Sequence, residues 1–196
     1  MSRSASAAAI LALACVAAIT TAAAQQLPRA RFGIGAGVTS PRQAYHADAL
    51  GEGFKTGWQG LAFLEFRDPK RPIGVRVDVV IGENPANDQL NANAGTTVKM
   101  RWFGGDVDAI YSFGQVAKGI GVYVLGGGGS YRITYSTPSA DQSENRFGWN
   151  AGAGVTLPLS MGAVFVEARY FSVKNAFISS GTSPFLAVVA GVRFGH

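Results

Sequence analysis

Charged residues recur two positions apart in this sequence, and this spacing could support several kinds of chemistry. Asp106 and Asp108 form the clearest pair, because residues i and i+2 of a β-strand point to the same face. Two adjacent carboxylates could act as general acid and base, or could bind a metal ion. No histidine lies nearby in the sequence, whereas arginines occur in several segments of the same pattern. We therefore expect a network of buried ion pairs here, with no catalytic residue, metal or cofactor.

The glycine run Gly126–Gly129 has some likeness to a phosphate-binding loop. Such a loop needs a following Lys-Ser or Lys-Thr and a helix that begins there, and this sequence provides neither. Glycines inside a strand let it bend and let neighbouring groups approach closely. We interpret the run as part of a strand that leaves room for arginine side chains.

The first 24 residues have the pattern of a secretory signal peptide. Arg3 precedes a stretch rich in Ala, Leu, Ile and Val, and three alanines ending at Ala24 supply a cleavage site before Gln25. We predict a cleaved signal peptide at 1–24 and a single domain at 25–196.

Two other interpretations of this leader are a membrane anchor and a lipoprotein signal at Cys15. Thr20 and Thr21 weaken the first, and the order Ala12-Leu13 does not fit the second. Cleavage would remove the only cysteine, which excludes thiol catalysis and cysteine-ligated metals. The formal net charge is +5, and no run of basic residues indicates binding to nucleic acid.

Period-two alternation dominates the remaining sequence and predicts eight strands joined by connections that are long and short in turn. Short turns on one side and long loops on the other are typical of a membrane-spanning β-barrel. We predict an all-β fold: an eight-stranded antiparallel up-and-down transmembrane β-barrel. The predicted long connections are 40–55, 83–97, 136–146 and 173–183. The predicted strands cover about 30–39, 56–67, 73–82, 98–113, 120–135, 147–158, 163–172 and 184–194.

The third strand alternates most cleanly, with Val75, Val77 and Val79 on one face and Arg76 and Asp78 on the other. In a soluble barrel the charged face would meet water, whereas in a membrane barrel it faces the lumen. The side chains of the apolar face have too large a total volume to fit inside an eight-stranded barrel. The charged face is rich in glycine, which leaves room for charged side chains in a crowded lumen. We therefore predict a lumen network that plugs the barrel. Its members are Glu65, Arg67, Arg76, Asp78, Asp106, Asp108, Arg132, Glu167, Arg169 and Arg193.

Aromatic residues concentrate near the strand ends, which predicts two girdles at the levels of the lipid head groups. The girdle near the long loops comprises Trp58, Trp102, Phe103, Tyr131, Tyr135, Phe147, Trp149 and Tyr170. The girdle near the short turns comprises Phe66, Tyr111, Phe113, Tyr123 and Phe194.

Four segments carry a resemblance that spans the predicted domain: 123–132, 148–155, 165–170 and 191–194. Their glycine, aromatic and charge pattern resembles the bacterial outer-membrane β-barrel domain family of OmpA/OmpX type, also called porin-family or opacity-like proteins. This resemblance implies insertion by the barrel-assembly machinery, with help from periplasmic chaperones. It also implies a C-terminal aromatic residue as an assembly signal, although Phe194 is here followed by two further residues.

We expect an integral protein of the bacterial outer membrane with a structural or surface-interaction role. That role includes membrane integrity, adhesion or binding through the long loops, and contact with outer-membrane lipids and lipopolysaccharide. One alternative is a small porin-like or hydrophobic-solute channel. Another is a lipid A-modifying enzyme that would use His46, although a histidine in the middle of a loop is poorly placed for a Ser–His pair.

Overall fold

The computed structural model describes residues 29–42, 53–68, 70–117, 119–174 and 182–195. Eight antiparallel strands form one closed barrel, in which each strand pairs with its sequence neighbours and the first pairs with the last. The predicted fold class is therefore confirmed. The strands are β1 (Arg29–Pro41), β2 (Gly57–Arg67), β3 (Ile73–Pro85), β4 (Lys99–Ala117), β5 (Ile120–Ser136), β6 (Asp141–Leu159), β7 (Gly162–Lys174) and β8 (Thr182–Phe194).

The two ends of the barrel differ, as the sequence pattern predicts. Three short connections lie at one end: those between β2 and β3, between β4 and β5, and between β6 and β7. We call this the short-turn end, which faces the periplasm in outer-membrane barrels. The opposite end, called the loop end, carries the remaining connections. The predicted signal peptide and residues 43–52 lie outside the described residues.

The apolar face of the strands points outward. Val77 is 42% exposed, whereas its neighbours Arg76 and Asp78 are 1% and 0% exposed. In water this arrangement would be unfavourable, because the free energy falls when apolar surface is removed from water. It matches a barrel whose outer face touches hydrocarbon. Large outward apolar side chains include Phe32, Ile34, Val38, Leu64, Ile73, Val75, Val79, Ile81, Val107, Val124, Val155, Val166, Leu186 and Val188.

The predicted long connection 136–146 is mostly strand. β5 continues to Ser136 and β6 begins at Asp141, so a tight turn at 137–140 joins two long strands. The turn is closed by a hydrogen bond from the Thr137 N–H to the Ala140 carbonyl oxygen, 2.9 Å long. Most side chains of this hairpin tip are exposed and polar, so the tip lacks the apolar alternation by which strands are recognised.

The predicted connection 83–97 contains a short helix, α1 (Asp88–Ala94), which the strand pattern does not indicate. The Asn87 side chain accepts a hydrogen bond from the Leu90 N–H, and Gly95 ends the helix in the left-handed conformation at φ 64°. Leu90 packs against the apolar residues inside the loop end of the barrel. Among the described residues, no helix has the length and apolar character needed to cross a bilayer.

Several predicted side-chain orientations are wrong. The sequence prediction places Trp102, Tyr123 and Tyr131 in the outer girdles, but all three are buried inside the barrel, and Tyr135 packs against the same interior. The prediction also places Arg132 in the lumen, but this residue is exposed on the outer face. Trp102 shares its strand face with the inward-pointing Asp106, so its burial follows from the period-two rule, and its proximity to a strand end is misleading.

Strand pairing explains the orientation of β5. Asp106 lies opposite Gly129 and Asp108 lies opposite Gly127. Directly paired residues of two antiparallel strands point to the same face, so both glycines face inward. Every odd-numbered residue of β5 between Tyr123 and Ile133 must then face inward, and Arg132 must face outward. The sequence of β5 alone predicts the opposite orientation.

Candidate functional site

Three groups of side chains follow one another along the barrel interior, and the group nearest the loop end is apolar. We call it the aromatic layer; it comprises Met100, Trp102, Ile133, Phe171 and Phe185. The Trp102 ring lies 5.8 Å from the Phe185 ring in a stacked arrangement and 5.7 Å from the Phe171 ring in an edge-on one. All five side chains are buried. The bridge between Phe54 and Ala86, together with Leu90 of α1, packs over this layer.

Below the aromatic layer lie six charged residues, here called the central ionic layer: Arg76, Asp78, Asp106, Asp108, Glu167 and Arg169. Arg76 donates hydrogen bonds from Nη1 to Glu167 Oε2 (2.6 Å) and from Nε to Asp78 Oδ1 (2.8 Å). Arg169 donates from Nη2 to Glu167 Oε1, also at 2.6 Å. Short charge-assisted bonds of this kind are among the strongest polar contacts in proteins. Strands β3 and β7, far apart in sequence, are thereby linked across the lumen.

The three aspartates of the central ionic layer surround the Arg169 guanidinium. Its Nη1 atom lies 3.2 Å from an oxygen of each aspartate. The carboxylate oxygens lie within 4.8 Å of one another, which is a spacing that a metal ion could use. The guanidinium, however, already provides the positive charge at this position. The geometry therefore favours an ion-pair network over a metal site.

Neutral polar side chains add hydrogen bonds to these acids, although Asp108 Oδ2 accepts none and lies only within ion-pair distance of Arg169. Tyr123 Oη donates to Glu167 Oε2 (2.8 Å), and Tyr131 Oη donates to Asp106 Oδ2 (3.0 Å). Asn150 Nδ2 donates to Asp108 Oδ1 at 2.8 Å. The inward orientation of β5 thus supplies two buried phenols to the network. The sequence indicates Asn150, which shares the polar face of β6, but it does not indicate the tyrosines.

The glycine run has a steric role, but the sequence prediction is wrong about the neighbouring groups. It expects the glycines to leave room for arginine side chains. A Cβ atom at Gly127 would collide with Asp108 Oδ1, and one at Gly129 would lie 2.7 Å from Asp106 Cβ. Any larger residue at these positions would displace the aspartates. The nearest atoms at both positions are backbone oxygens of β4, those of Val107 and Gly105, so the two glycines let β4 and its aspartates approach closely and do not make room for arginines.

A second charged group lies toward the short-turn end, and we call it the mouth cluster: Arg31, Glu65, Arg67 and Arg193. Glu65 is 1% exposed and lies 3.3 Å from Arg31 Nη1, 3.8 Å from Arg67 Nε and 3.4 Å from Arg193 Nη1. Arg67 also donates to the Ser112 hydroxyl. Arg31 is absent from the predicted lumen residues, although it shares the inward face of β1 with Gly33.

The outer face carries a third charged group near the loop end. Glu83 accepts hydrogen bonds from Lys99 Nζ (2.9 Å) and Arg101 Nε (3.0 Å). Arg132 lies opposite Phe103 in the β4–β5 pairing, and no carboxylate of the described residues lies within ion-pair distance of it. A surface groove at this level is lined by these arginines together with Trp58, Ile81 and Phe103.

The other predicted girdle residues lie on the outer face or at its edge. Phe66 and Phe194 are half-buried, and Phe194 stacks on Phe32 with ring centroids 5.0 Å apart. The outward girdle residues are Trp58, Phe103, Phe147, Trp149 and Tyr170 toward the loop end, and Tyr111 and Phe113 toward the short-turn end. Both histidines of the chain, His46 and His196, lie outside the described residues.

A closed eight-stranded barrel with an apolar exterior and a charged interior defines a small outer-membrane barrel protein. The sequence model of the family described as outer membrane protein beta-barrel domain matches residues 11–184. The chain belongs to this family, which places it in the bacterial outer membrane. A search among curated proteins finds no match.

Solved structures with the same fold include several outer-membrane proteins. Neisserial surface protein A is 16% identical, with a TM-score of 0.64 over 85% of this chain and 97% of the other. The attachment invasion locus protein of Yersinia pestis is 13% identical, with a TM-score of 0.50 over 86% of this chain and 100% of the other. A major outer membrane protein of Thermus thermophilus is 16% identical, with a TM-score of 0.50 over 84% and 99%. At these identities the similarity concerns the fold.

Proposed function

We propose that this protein is a closed barrel with a structural or surface-interaction role, in which recognition belongs to the loop end. The observation that supports this proposal is the filled interior. The aromatic layer and the central ionic layer lie across the lumen in series, and Arg76 and Asp78 are almost completely buried. An eight-stranded barrel has room only for such side chains. Its remaining route to function is through surfaces that meet lipid or the outside of the cell.

The loop end offers two kinds of surface for such interactions. The β5–β6 hairpin extends beyond the loop-side ends of β7 and β8, with polar, exposed side chains along its tip. α1 follows the Phe54–Ala86 bridge in the chain, and its Leu90 packs against the same interior cluster as Tyr135 of β5. Rigid strands that carry exposed polar tips are suited to binding other molecules, so adhesion and loop-mediated binding both fit this end of the barrel.

We further propose that the outward arginines at the loop end contact lipopolysaccharide. Arg132 and Arg101 lie beside Trp58 and Phe103, at the level where aromatic side chains meet the head groups. An unpaired arginine on a lipid-facing surface is unfavourable unless a phosphate approaches it, and guanidinium groups bind phosphate in a bidentate manner. The outer leaflet supplies such phosphates on lipid A.

Lipopolysaccharide contact can be tested by comparing the amount of the lipid that co-purifies with variants. Arg132→Gln should retain less lipopolysaccharide than the wild type, whereas Lys70→Gln at the short-turn end removes the same charge and should retain as much. Equal retention by both variants would contradict the contact.

Secretion through the cleaved leader and insertion by the barrel-assembly machinery with periplasmic chaperones are part of the same proposal. We propose no catalytic role. The three clustered aspartates all lie 3.2 Å from the Arg169 guanidinium, so their charges are directed to an ion pair.

Planar-bilayer recording distinguishes the closed barrel from the channel alternative. The wild type should give no steady conductance. A matched variant that opens only the aromatic layer, Trp102→Ala with Phe171→Ala, should also stay closed, because the central ionic layer still spans the lumen. Sustained conductance by the wild type would contradict the proposal and favour a small channel.

A further inference from the structure

The short-turn end of the barrel opens into a cavity of about 620 Å³ that none of the roles discussed above uses. Its lining includes five basic side chains and, among the described residues, no acidic one. Hydroxyl groups of Ser112 and Thr156 also line it. The five basic residues are Arg31, Arg67, Lys70, Arg71 and Arg193.

The charges around this cavity are not balanced locally. Three arginines of the mouth cluster share a single carboxylate, Glu65, which lies behind them. Lys70 and Arg71 add positive charge at the rim, where Arg71 lies 3.6 Å from Asp68. The mouth cluster therefore carries a surplus of two positive charges. Charges that are partly removed from water favour a counterion, because the lower effective dielectric strengthens their interactions.

The arginines of the mouth cluster also have unused hydrogen-bonding capacity. Each guanidinium has five N–H groups in a planar fork. Arg31 and Arg193 each donate one hydrogen bond to Glu65, at 3.3 and 3.4 Å, and Arg67 donates to Ser112. These arginine–glutamate distances exceed the roughly 2.7–2.9 Å of strong charge-assisted bonds. The side chains are 15–17% exposed and line the cavity, so a ligand there can reach their remaining N–H groups.

A phosphate group matches this arrangement in charge and geometry. Its oxygens accept the paired N–H groups of several guanidinium forks at once. A phosphate monoester carries about two negative charges at neutral pH, which equals the surplus of the mouth cluster. The cavity is also larger than one such ion needs, so it can hold the group to which the phosphate is attached.

We propose that this cavity is a binding site for a phosphate-bearing ligand, held by Arg31, Arg67 and Arg193. The ligand could come from two sources that share a phosphate group, a monoester with about two negative charges or a phospholipid diester with one. One is a water-soluble phosphate ester of the periplasm, and the other is the head group of a phospholipid in the inner leaflet.

Calorimetric titration of the intact protein, extracted from outer membranes into phosphate-free maltoside micelles, tests this proposal. Glycerol 3-phosphate represents the soluble source and a short-chain phosphatidylglycerol represents the lipid source. Binding of either one supports the site, and the one that binds more tightly identifies the source. Failure of both to bind would overturn the proposal.

Substitutions of single residues show whether the ligand binds at the mouth cluster. Arg67→Gln and Arg193→Gln should each weaken binding about tenfold or more, because a hydrogen bond to a charged group contributes about 1.5–3 kcal/mol. Lys174→Gln removes the same charge from the loop end of β7, at the opposite end of the barrel, and should bind like the wild type. Equal affinity in Arg67→Gln and Lys174→Gln would overturn the assignment.

Two further variants keep the test decisive if an interior substitution prevents folding, which heat-modifiable migration on gels would reveal. Arg71→Gln at the exposed rim should weaken binding about two- to fivefold. Glu65→Gln removes the competing carboxylate and should tighten binding. Weaker binding by a folded Glu65→Gln variant would count against the site.

Discussion

The central ionic layer and the mouth cluster contain the same types of charged residue. Carboxylates are in excess in the central ionic layer, whereas guanidinium groups are in excess in the mouth cluster. The central layer has four carboxylates for two guanidinium groups, whereas the mouth cluster has one carboxylate for three. Together the described charges of the two groups cancel, but they are separated along the barrel. Contacts in the centre are as short as 2.6 Å and fully buried, and those at the mouth are 3.3–3.8 Å and open to a cavity.

This difference indicates different tasks. The central layer connects β3, β4 and β7 across the lumen through residues that are up to 91 positions apart, so it contributes to the cohesion of the barrel. The mouth cluster lies near a single acid and keeps donors available, which is typical of a site that accepts an anion. Ion pairs inside a barrel therefore need to be assessed by their balance and their access to solvent, and not merely by their number.

The largest effect is expected for Arg169→Ala. This change would leave four carboxylates around one remaining guanidinium and should lower the free energy of unfolding by about 3–5 kcal/mol. Urea unfolding in lipid vesicles provides the measurement. Lys174→Ala is the control, because it removes a basic residue from the exposed loop end of β7, and its stability should be unchanged. Similar losses in both variants would show that the network contributes nothing specific.

A smaller loss is expected for Val77→Arg. Val77 is adjacent to Arg76 in the sequence but faces outward, so an arginine there would enter the hydrocarbon. The expected cost is about 2–4 kcal/mol near the middle of the bilayer. The same unfolding measurement applies, with Val77→Leu as the matched apolar control. A tolerated Val77→Arg would contradict the assignment of the two faces on which the comparison of the clusters depends.

At the mouth, Glu65→Gln should lower the free energy of unfolding by about 1–2 kcal/mol, because the three arginines lose their shared acceptor. The loss is smaller than in the centre since water in the cavity can solvate these arginines. Glycerol 3-phosphate at about 10 mM, which is enough to occupy a weak site, should restore part of the lost stability. A loss equal to that of Arg169→Ala would remove the distinction between the two clusters.

The smallest effect is expected for Asp108→Asn. The central layer has more carboxylates than guanidinium groups, so neutralising one of them should change stability by less than about 1 kcal/mol, because Arg169 keeps three other acidic partners. The amide preserves the size of the side chain opposite Gly127. A large loss would show that the negative surplus of the central layer is itself stabilising.

Much of the fold can be predicted from local sequence patterns. The alternation of Val75, Arg76, Val77 and Asp78 reveals a strand with one apolar and one charged face, and the turn at 68–72 is evident from its composition. The strand count and the short turns follow from repetition of such patterns. The hairpin tip at 137–140 and α1 are not predictable in this way, because exposed polar strands and very short helices lack a distinctive periodicity.

The candidate sites are harder to predict from the sequence than the fold is. Of the ten predicted lumen charges, nine lie on the inner face, with Arg132 as the exception and Arg31 as the omission. The prediction for β5 fails because Tyr123, Leu125 and Tyr131 have the composition of a lipid-facing strand. The partners of the two tyrosines are carboxylates on β4 and β7, and no local pattern in β5 contains that information.

The order of residues alone shows which side chains share a strand face, since that depends only on the two-residue period of each strand. Which face of β5 points inward depends on its register with β4, and this register exists only in the folded barrel. The folded barrel also decides which charges meet. Arg76 and Glu167 are 91 positions apart, and only closure of the barrel brings their strands across from one another, which separates a tightly paired centre from a mouth with surplus positive charge.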